Sequence, residues 1–344
     1  MGAEVINRIQ ESLESKRENL VHWLGSAPED EKEILLCCDE QALEPSIQPH
    51  LQVIDSALDK AANQVLGICE ICQGHVEDEL LEMDYTTSVC LDDYSEEERR
   101  SLEAELEMSR VVQRALLPRE IPGIPGLDIA AFSRPAQIVG GDYYDFFKFQ
   151  DGANGMVVAD VEGHGVSSSM LMSSLQSALH TLVPDNTSPI PVLERINRFY
   201  IHNINLTTFV TVFLGHLDPA SRLLTYVSAG HNPPLLLHVD GTVEPIWLKP
   251  TAAAIGLMED YHVRAETILL APSDVLLVYT DGVTEATNTR GEPFGTDRLV
   301  DAVRENCKLQ AQDLIRGIRQ SLQAFSTEKP LEDDITLLVC KVLK

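Results

Sequence analysis

Four aspartate-bearing motifs constrain this chain most: GGDYYDFF (Gly140 to Phe147), MVVADVEGHG (Met156 to Gly165), VLLVYTDGVTEA (Val275 to Ala286) and LEDDITLLVCKV (Leu331 to Val342). Each sets an acidic residue at or near the end of a run rich in Val, Leu, Ile, Phe and Tyr, where a strand leaves the core and meets solvent. One such motif is as often a solvated loop as a site. Four of them, delivered by strands that must pack together, bring carboxylates into convergence although they are far apart in sequence. An oxygen-only donor set suits hard divalent cations such as Mg2+ or Mn2+. No His-x-x-x-His and no cysteine pair in this half offers a zinc set, so the expectation is a two-ion carboxylate centre.

The bounds agree with that reading. A chain of 344 residues with 44% hydrophobic content holds one sizeable globular domain and a smaller one. The net charge of -28 excludes a phosphate-backbone binder, since nucleic-acid affinity rests on clustered Lys and Arg. Neither nucleic acid nor an anionic membrane is an expected partner. No leader pattern follows Met1 and no apolar run is long enough to cross a bilayer, so a soluble cytoplasmic protein is expected. Of the seven cysteines, Cys307 and Cys340 stand in apolar runs and read as inert core thiols. The odd count argues against a disulfide framework and leaves metal or redox chemistry for the others.

Residues 1–94 form a compositionally separate region. Helical spacing in VINRIQESLESKRENLVHWL and IQPHLQVIDSALDKAANQVLG predicts a helical hairpin, with Ile54, Leu58, Ala61, Ala62, Val65 and Leu66 largely on one face. SAPEDEKE and EPS supply turn signals between them. Cys69 and Cys72 then form a CxxC pair, and Cys90 follows after seventeen residues, which fits a knuckle-type zinc site. Asp93 stands three residues beyond Cys90; its carboxylate or the imidazole of His75 are the candidate fourth donors. From Ser95 and Glu98, a capping-box pair, the chain runs without Gly or Pro to Pro118. This predicts a linker helix with an apolar stripe of Leu102, Leu106, Met108, Val112, Ala115 and Leu116.

From about Met108 to Leu343 the chain resembles the bacterial SpoIIE/RsbU-type branch of the metal-dependent protein phosphatases, relatives of the eukaryotic type 2C enzymes. RVVQRALLPRE, GGDYYDFF, ADVEGHGVSSSMLM, TTFVTVFLGHLDPASRLLTYVSAGHNPPLLL, YTDGVTEATNTRGEPFG and DDITLLV carry the resemblance, in the family's order. It implies an α+β fold, the type 2C-phosphatase-like α-β-β-α sandwich of two antiparallel sheets flanked by helices, over residues 119–344. It further implies that Asp160 bridges the two ions, that Asp142 belongs to one shell, and that Asp281 and Asp333 belong to the other. Asp334 competes with Asp333, and the Val161 carbonyl joins the ligands. Metal-activated water would then hydrolyse phosphoserine or phosphothreonine, with Asp160 and Asp281 in the catalytic centre and His164 as candidate general acid.

By the same resemblance the substrate is an anti-sigma-factor antagonist of the STAS class, and residues 95–118 pair with their copy in a homodimer and regulate the enzyme. His231 and Arg134 are weaker candidates, the first in turn chemistry and the second at a strand end. Residues 1–94 resemble the DksA/TraR zinc-finger family, whose pattern is CxxC, seventeen residues, CxxC; here Asp93 replaces the last cysteine. That family reaches into RNA polymerase with a coiled-coil tip, whereas Pro45 and Pro49 read here as interruptions of the helices. The alternatives to the enzyme reading are a phosphatase-fold binding module that holds metal weakly and a transcription modulator acting through residues 1–94.

Overall fold

The computed structural model describes all residues except 1–5, 7–8, 11–12, 15–16, 18–42, 77–80, 82–84, 87, 91–95, 164, 204–207, 239–243, 260, 327–330 and 344. The chain forms two compact units, one of residues 1–109 with 205–208 and one of residues 110–204 and 209–344.

In the first unit helix α1 spans Leu43–Ala62. It runs through EPS, Pro45 and Pro49, which corrects the expectation of a turn and of short, interrupted helices. Pro45 falls in the first turn, where the missing N–H has no intrahelical acceptor to lose, and Pro49 forfeits a single bond of the ladder. Ile54, Ala57 and Ala61 face a small core with Ile9, Leu13, Leu66, Cys69, Val76, Leu81 and Cys90. Ala62 and Val65, expected on that face, are exposed, because the helix stops at Ala62. Ile6, Ile9, Gln10, Leu13, Glu14 and Arg17, the described residues of the first expected helix, are helical.

Helix α2, Glu96–Leu116, is the expected linker helix. Ser95, expected to cap it, and the Leu102 side chain lie outside the described residues. The anticipated stripe splits: Leu106 and Leu116 are half-buried, while Met108, Val112 and Ala115 are exposed.

The second unit is a sandwich of two five-stranded antiparallel sheets. One has the order β1 (Leu127–Arg134), β10 (Ile335–Val342), β9 (Val275–Tyr279), β6 (Leu235–Leu237) and β7 (Ile246–Trp247). The other has the order β2 (Tyr143–Lys148), β3 (Asn154–Val161), β4 (Val210–Asp218), β5 (Leu223–Ala229) and β8 (Glu266–Leu269). Helices α3 (Val166–Leu182) and α4 (Pro189–Asn203) cover the second sheet; α5 (Gly282–Glu285), α6 (Gly295–Asn306) and α7 (Ala311–Ser326) accompany the first.

Alternation explains why the strands read as apolar on both faces. In β3, Val157, Ala159 and Val161 pack with Leu171, Leu175 and Leu179 of α3, whereas Met156 and Val158 turn inward against Leu276, Val278 and Leu338 of the facing sheet. DPASR, a hairpin signal between two apolar runs, forms the β4–β5 hairpin: the Asp218 carboxylate accepts the Ala220 N–H (3.0 Å) and the Ser221 hydroxyl (2.6 Å), and Arg222 takes φ 60. VDGT, residues 239–242, carries a second hairpin signal in the sequence and lies outside the described residues. Cys307 and Cys340 are buried core thiols, the latter pushed up to about 12 by burial. No helix among the described residues is long and apolar enough to cross a membrane.

Candidate active site

Antiparallel register delivers the acidic residues to one end of the sandwich. Asp142 directly precedes β2, Asp160 stands near the end of β3, Asp281 follows β9 by two residues, and Asp333 and Asp334 directly precede β10. Their charges act on one another. Asp160 is raised well above the ordinary carboxylate range by burial and then by Asp142, Asp281 and Asp333. Asp142 is raised likewise, by burial and then by Asp334. Burial followed by Glu285 lifts Asp281 to about 6, and burial followed by Asp281 lifts Asp333 to about 7.

Hydrogen bonds separate the two neighbours left open by the sequence. The Asp334 carboxylate accepts the N–H of Ala136 (2.7 Å) on one oxygen and those of Gly141 (2.7 Å) and Asp142 (3.3 Å) on the other. It is committed to holding the loop before β2. The Asp333 carboxylate accepts the adjacent Asp334 N–H (2.8 Å) and is half-buried. The loop is close enough that a Cβ at Gly140 would collide with the Asp334 carboxylate. At Gly141 it would stand 2.7 Å from the Val161 carbonyl oxygen, the backbone atom expected among the ligands.

Asp142 is the most telling member. Its Oδ2 accepts the Thr280 hydroxyl (2.8 Å), and Thr280 Oγ1 in turn accepts the Thr336 N–H (2.9 Å). Its Oδ1 is buried with no partner at hydrogen-bond distance; the Thr336 hydroxyl, buried and equally unpaired, is a polar neighbour that acts to lower its pKa. A buried orphan carboxylate oxygen is costly unless a cation meets it. The carboxylates of Asp142, Asp160, Asp281 and Asp333 act on one another's charge, and with an orphaned oxygen among them the donor set fits hard divalent cations.

The weaker candidates resolve differently. His164 lies outside the described residues. His231 is buried, its Nδ1 lies 2.9 Å from Thr211 Oγ1, and burial depresses it to about 3, so it is neutral and structural. Arg134 is exposed at the end of β1, paired across the sheet with Ile335. Asp145, the second aspartate of GGDYYDFF, is structural: it accepts the Tyr143 hydroxyl (2.6 Å) and meets His180 Nε2 at 2.8 Å.

Two contributors escaped the sequence reading. Thr280 adjoins Asp281 in the YTDG motif, and only the fold turns its hydroxyl to Asp142. Gln113 of α2 is buried and clasps Gly140 at both polar groups, donating from Nε2 to the carbonyl (2.6 Å) and accepting its N–H on Oε1 (3.2 Å). Its signal was a lone amide in the otherwise apolar and basic RVVQRALLP.

A sandwich of two antiparallel sheets between helices, with clustered carboxylates at one end, defines the class of PP2C-like phosphatases, which depend on Mg2+ or Mn2+. Residues 150–343 match the family model described as Stage II sporulation protein E (SpoIIE). The chain is 30% identical over 244 residues to phosphoserine phosphatase RsbU of Bacillus subtilis, covering 71% of each. The solved structure of the RsbU and RsbW domains of a Mycobacterium tuberculosis protein is similar at 29% identity and TM-score 0.57, over 66% of this chain and 63% of that one. The SiaA-PP2C domain of Pseudomonas aeruginosa shares the fold, with TM-score 0.62 at 24% identity, over 71% of this chain and 98% of that domain. The chain belongs to the SpoIIE family and is a serine phosphatase.

Proposed function

We propose that Asp142, Asp160, Asp281 and Asp333, with the Val161 carbonyl, hold two Mg2+ or Mn2+ ions and that the enzyme hydrolyses phosphoserine or phosphothreonine in a partner protein. The observation that carries the ligand set is the buried, unpartnered Oδ1 of Asp142 within a cluster of mutually repelling carboxylates. Bound there, the ions supply a water acidified toward neutral pH and positive charge that offsets the phosphoryl oxygens.

The chain's own residues do the rest. Asp160, Asp142, Asp281 and Asp333 would hold the ions, with Asp160 between those on either side of it in the charge network. Thr280 orients Asp142 through its hydroxyl, and Asp334 fixes the loop that presents Asp142 by accepting three backbone N–H groups. His164 protonates the leaving serine oxygen. No covalent intermediate is needed, because water is the nucleophile.

The partner is a phosphorylated anti-sigma-factor antagonist of the STAS type, in keeping with the relative named phosphoserine phosphatase RsbU. Residues 95–118 form the regulatory and dimerising element between residues 1–94 and the phosphatase domain, residues 119–344. Two observations favour this role. Gln113 ties α2 to Gly140, beside the aspartate loop. Ala104, Met108, Val111 and Ala115, spaced as a heptad seam, are all exposed on the same helix. A second metal, Zn2+, belongs to the thiols of the N-terminal unit, whose spacing favours it.

Hydrolysis of p-nitrophenyl phosphate with Mn2+, Mg2+ or chelator tests the chemistry, and a phosphorylated STAS protein tests the substrate. Metal-dependent turnover lost in Asp281→Asn supports the reading. Turnover of the ester but not of the phosphoprotein would leave the chemistry and discard the partner.

A further inference from the structure

Cys69, Cys72 and Cys90 form a built cluster that phosphate hydrolysis does not use. Cys69 and Cys72 lie on a tight turn in which the Cys69 N–H donates to Gly74 O (2.8 Å), the Gln73 N–H to Cys69 O (3.0 Å) and the Val76 N–H to Gly67 O (2.8 Å). Backbone N–H groups also reach the sulfurs, Gly74 to Cys72 Sγ (3.3 Å) and Cys90 to Cys69 Sγ (3.4 Å). The Cys69 thiol lies below its ordinary value, through its hydrogen bond with the Cys72 backbone first.

The spacing suits a metal. All three sulfurs lie within 4.8 Å of one another. Thiolates on a tetrahedral zinc at about 2.3 Å stand about 3.8 Å apart. His75 is not a member of the group and Asp93 lies outside the described residues, so the three thiolates would hold the ion with water at its fourth corner. The first unit has reason to need the ion, because its core among the described residues is small.

Exposure divides the cluster. Cys69 and Cys90 are buried in that core, whereas Cys72 is exposed, and Cys72 Sγ lies 3.4 Å from Cys90 Sγ. An oxidant arriving from solvent meets Cys72 first and leaves it in contact with a second sulfur.

We propose that Cys69, Cys72 and Cys90 form a zinc site that a peroxide empties by joining Cys72 to Cys90, an inference that rests on the zinc reading above. The Cys72 thiolate attacks a peroxide oxygen; an S–O bond forms, the O–O bond breaks and hydroxide leaves. The Cys90 thiolate then attacks the sulfenic sulfur, forming S–S and expelling a second hydroxide. The two sulfurs give up two electrons, hydrogen peroxide with two protons becomes two waters, and Zn2+ is left with a single thiolate, too few to retain it.

The full chain, purified without chelator, is assayed for zinc by elemental mass spectrometry and treated with hydrogen peroxide beside a metal-sensitive dye. The expected results are one zinc per chain, loss of nearly all of it on oxidation, a Cys72–Cys90 disulfide in non-reducing peptide maps, and recovery of zinc binding after dithiothreitol. A chain that never contains zinc overturns the zinc reading and this inference with it. Zinc retained under peroxide, or a disulfide joining any other pair, overturns the oxidation step alone. Peptide mapping of the unmodified chain reads the pairing directly, so the test does not depend on whether a Cys72→Ser variant folds.

Discussion

The thiol knuckle and the carboxylate centre both suit cations, yet they are assembled in opposite ways. The thiols come from one short stretch, Cys69 to Cys90, and backbone N–H groups of that stretch reach the sulfurs of Cys69 and Cys72. The carboxylates come from Asp142 to Asp334, carried by strands of both sheets, and they repel one another. A local site is compensated before any metal arrives. The nonlocal site stores its repulsion in the fold, and one aspartate, Asp334, is spent on holding the arrangement together.

If repulsion awaiting a cation is what distinguishes the carboxylate centre, the largest effect belongs to its most connected member. Asp160→Asn lowers turnover of a phosphoserine peptide by roughly three orders of magnitude while the fold, read by circular dichroism, is retained. Activity within tenfold of the parent would remove Asp160 from the centre.

The scaffold role of Asp334 is sharpened from the opposite side of its contact. Gly140→Ala drives a Cβ into that carboxylate, so a loss of about 1–3 kcal/mol in unfolding free energy is expected along with activity. Unchanged denaturant midpoints would show that the loop has slack.

Gln113→Ala leaves every carboxylate in place but frees Gly140. A fall of about 10–100-fold in apparent Mn2+ affinity, with little change in melting temperature, is the expected outcome. Equal Mn2+ titration curves for variant and parent would separate α2 from the metal centre. On the same helix, Val111→Glu converts the proposed dimer to monomer in analytical ultracentrifugation; an unaltered mass would move the dimer contact elsewhere.

The smallest effect is a pH dependence. Burial and neighbouring charge hold Asp281 at about 6 and Asp333 at about 7 in the folded chain, against 3.8 ordinarily. Ionising them opposes folding. The metal-free protein therefore keeps this contribution below about pH 4 and loses it as the pH rises to about 7. Thermal melts in chelator should fall between about pH 5 and pH 7.5, and Asp333→Asn should flatten the fall. A parent and variant with the same slope would show that other groups set it.

Much of this was legible because strands buried on both faces announce themselves. The apolar runs of the four aspartate motifs form β2, β3, β9 and β10. The second reading of α1 failed where propensity was weighed alone: Pro45 and Pro49 suggested breaks, but a proline near a helix start costs little. The aspartate motifs named the centre but not the division of labour in DDIT, since strand geometry and the N–H groups of a loop almost two hundred residues upstream decide it. The bonds of Gln113 and Thr280 were illegible for the same reason, because both depend on partners brought in by the fold.

The central claim is that the aspartate cluster is a two-ion centre that performs the hydrolysis. Its most direct test is to titrate Mn2+ into chelator-treated protein by calorimetry while following phosphoserine-peptide hydrolysis on the same samples. The account predicts two ions bound in the phosphatase unit, turnover that rises with their occupancy, and loss of both signals in Asp142→Asn. Full turnover in chelator, or an Asp142→Asn chain that binds and hydrolyses like its parent, would contradict it.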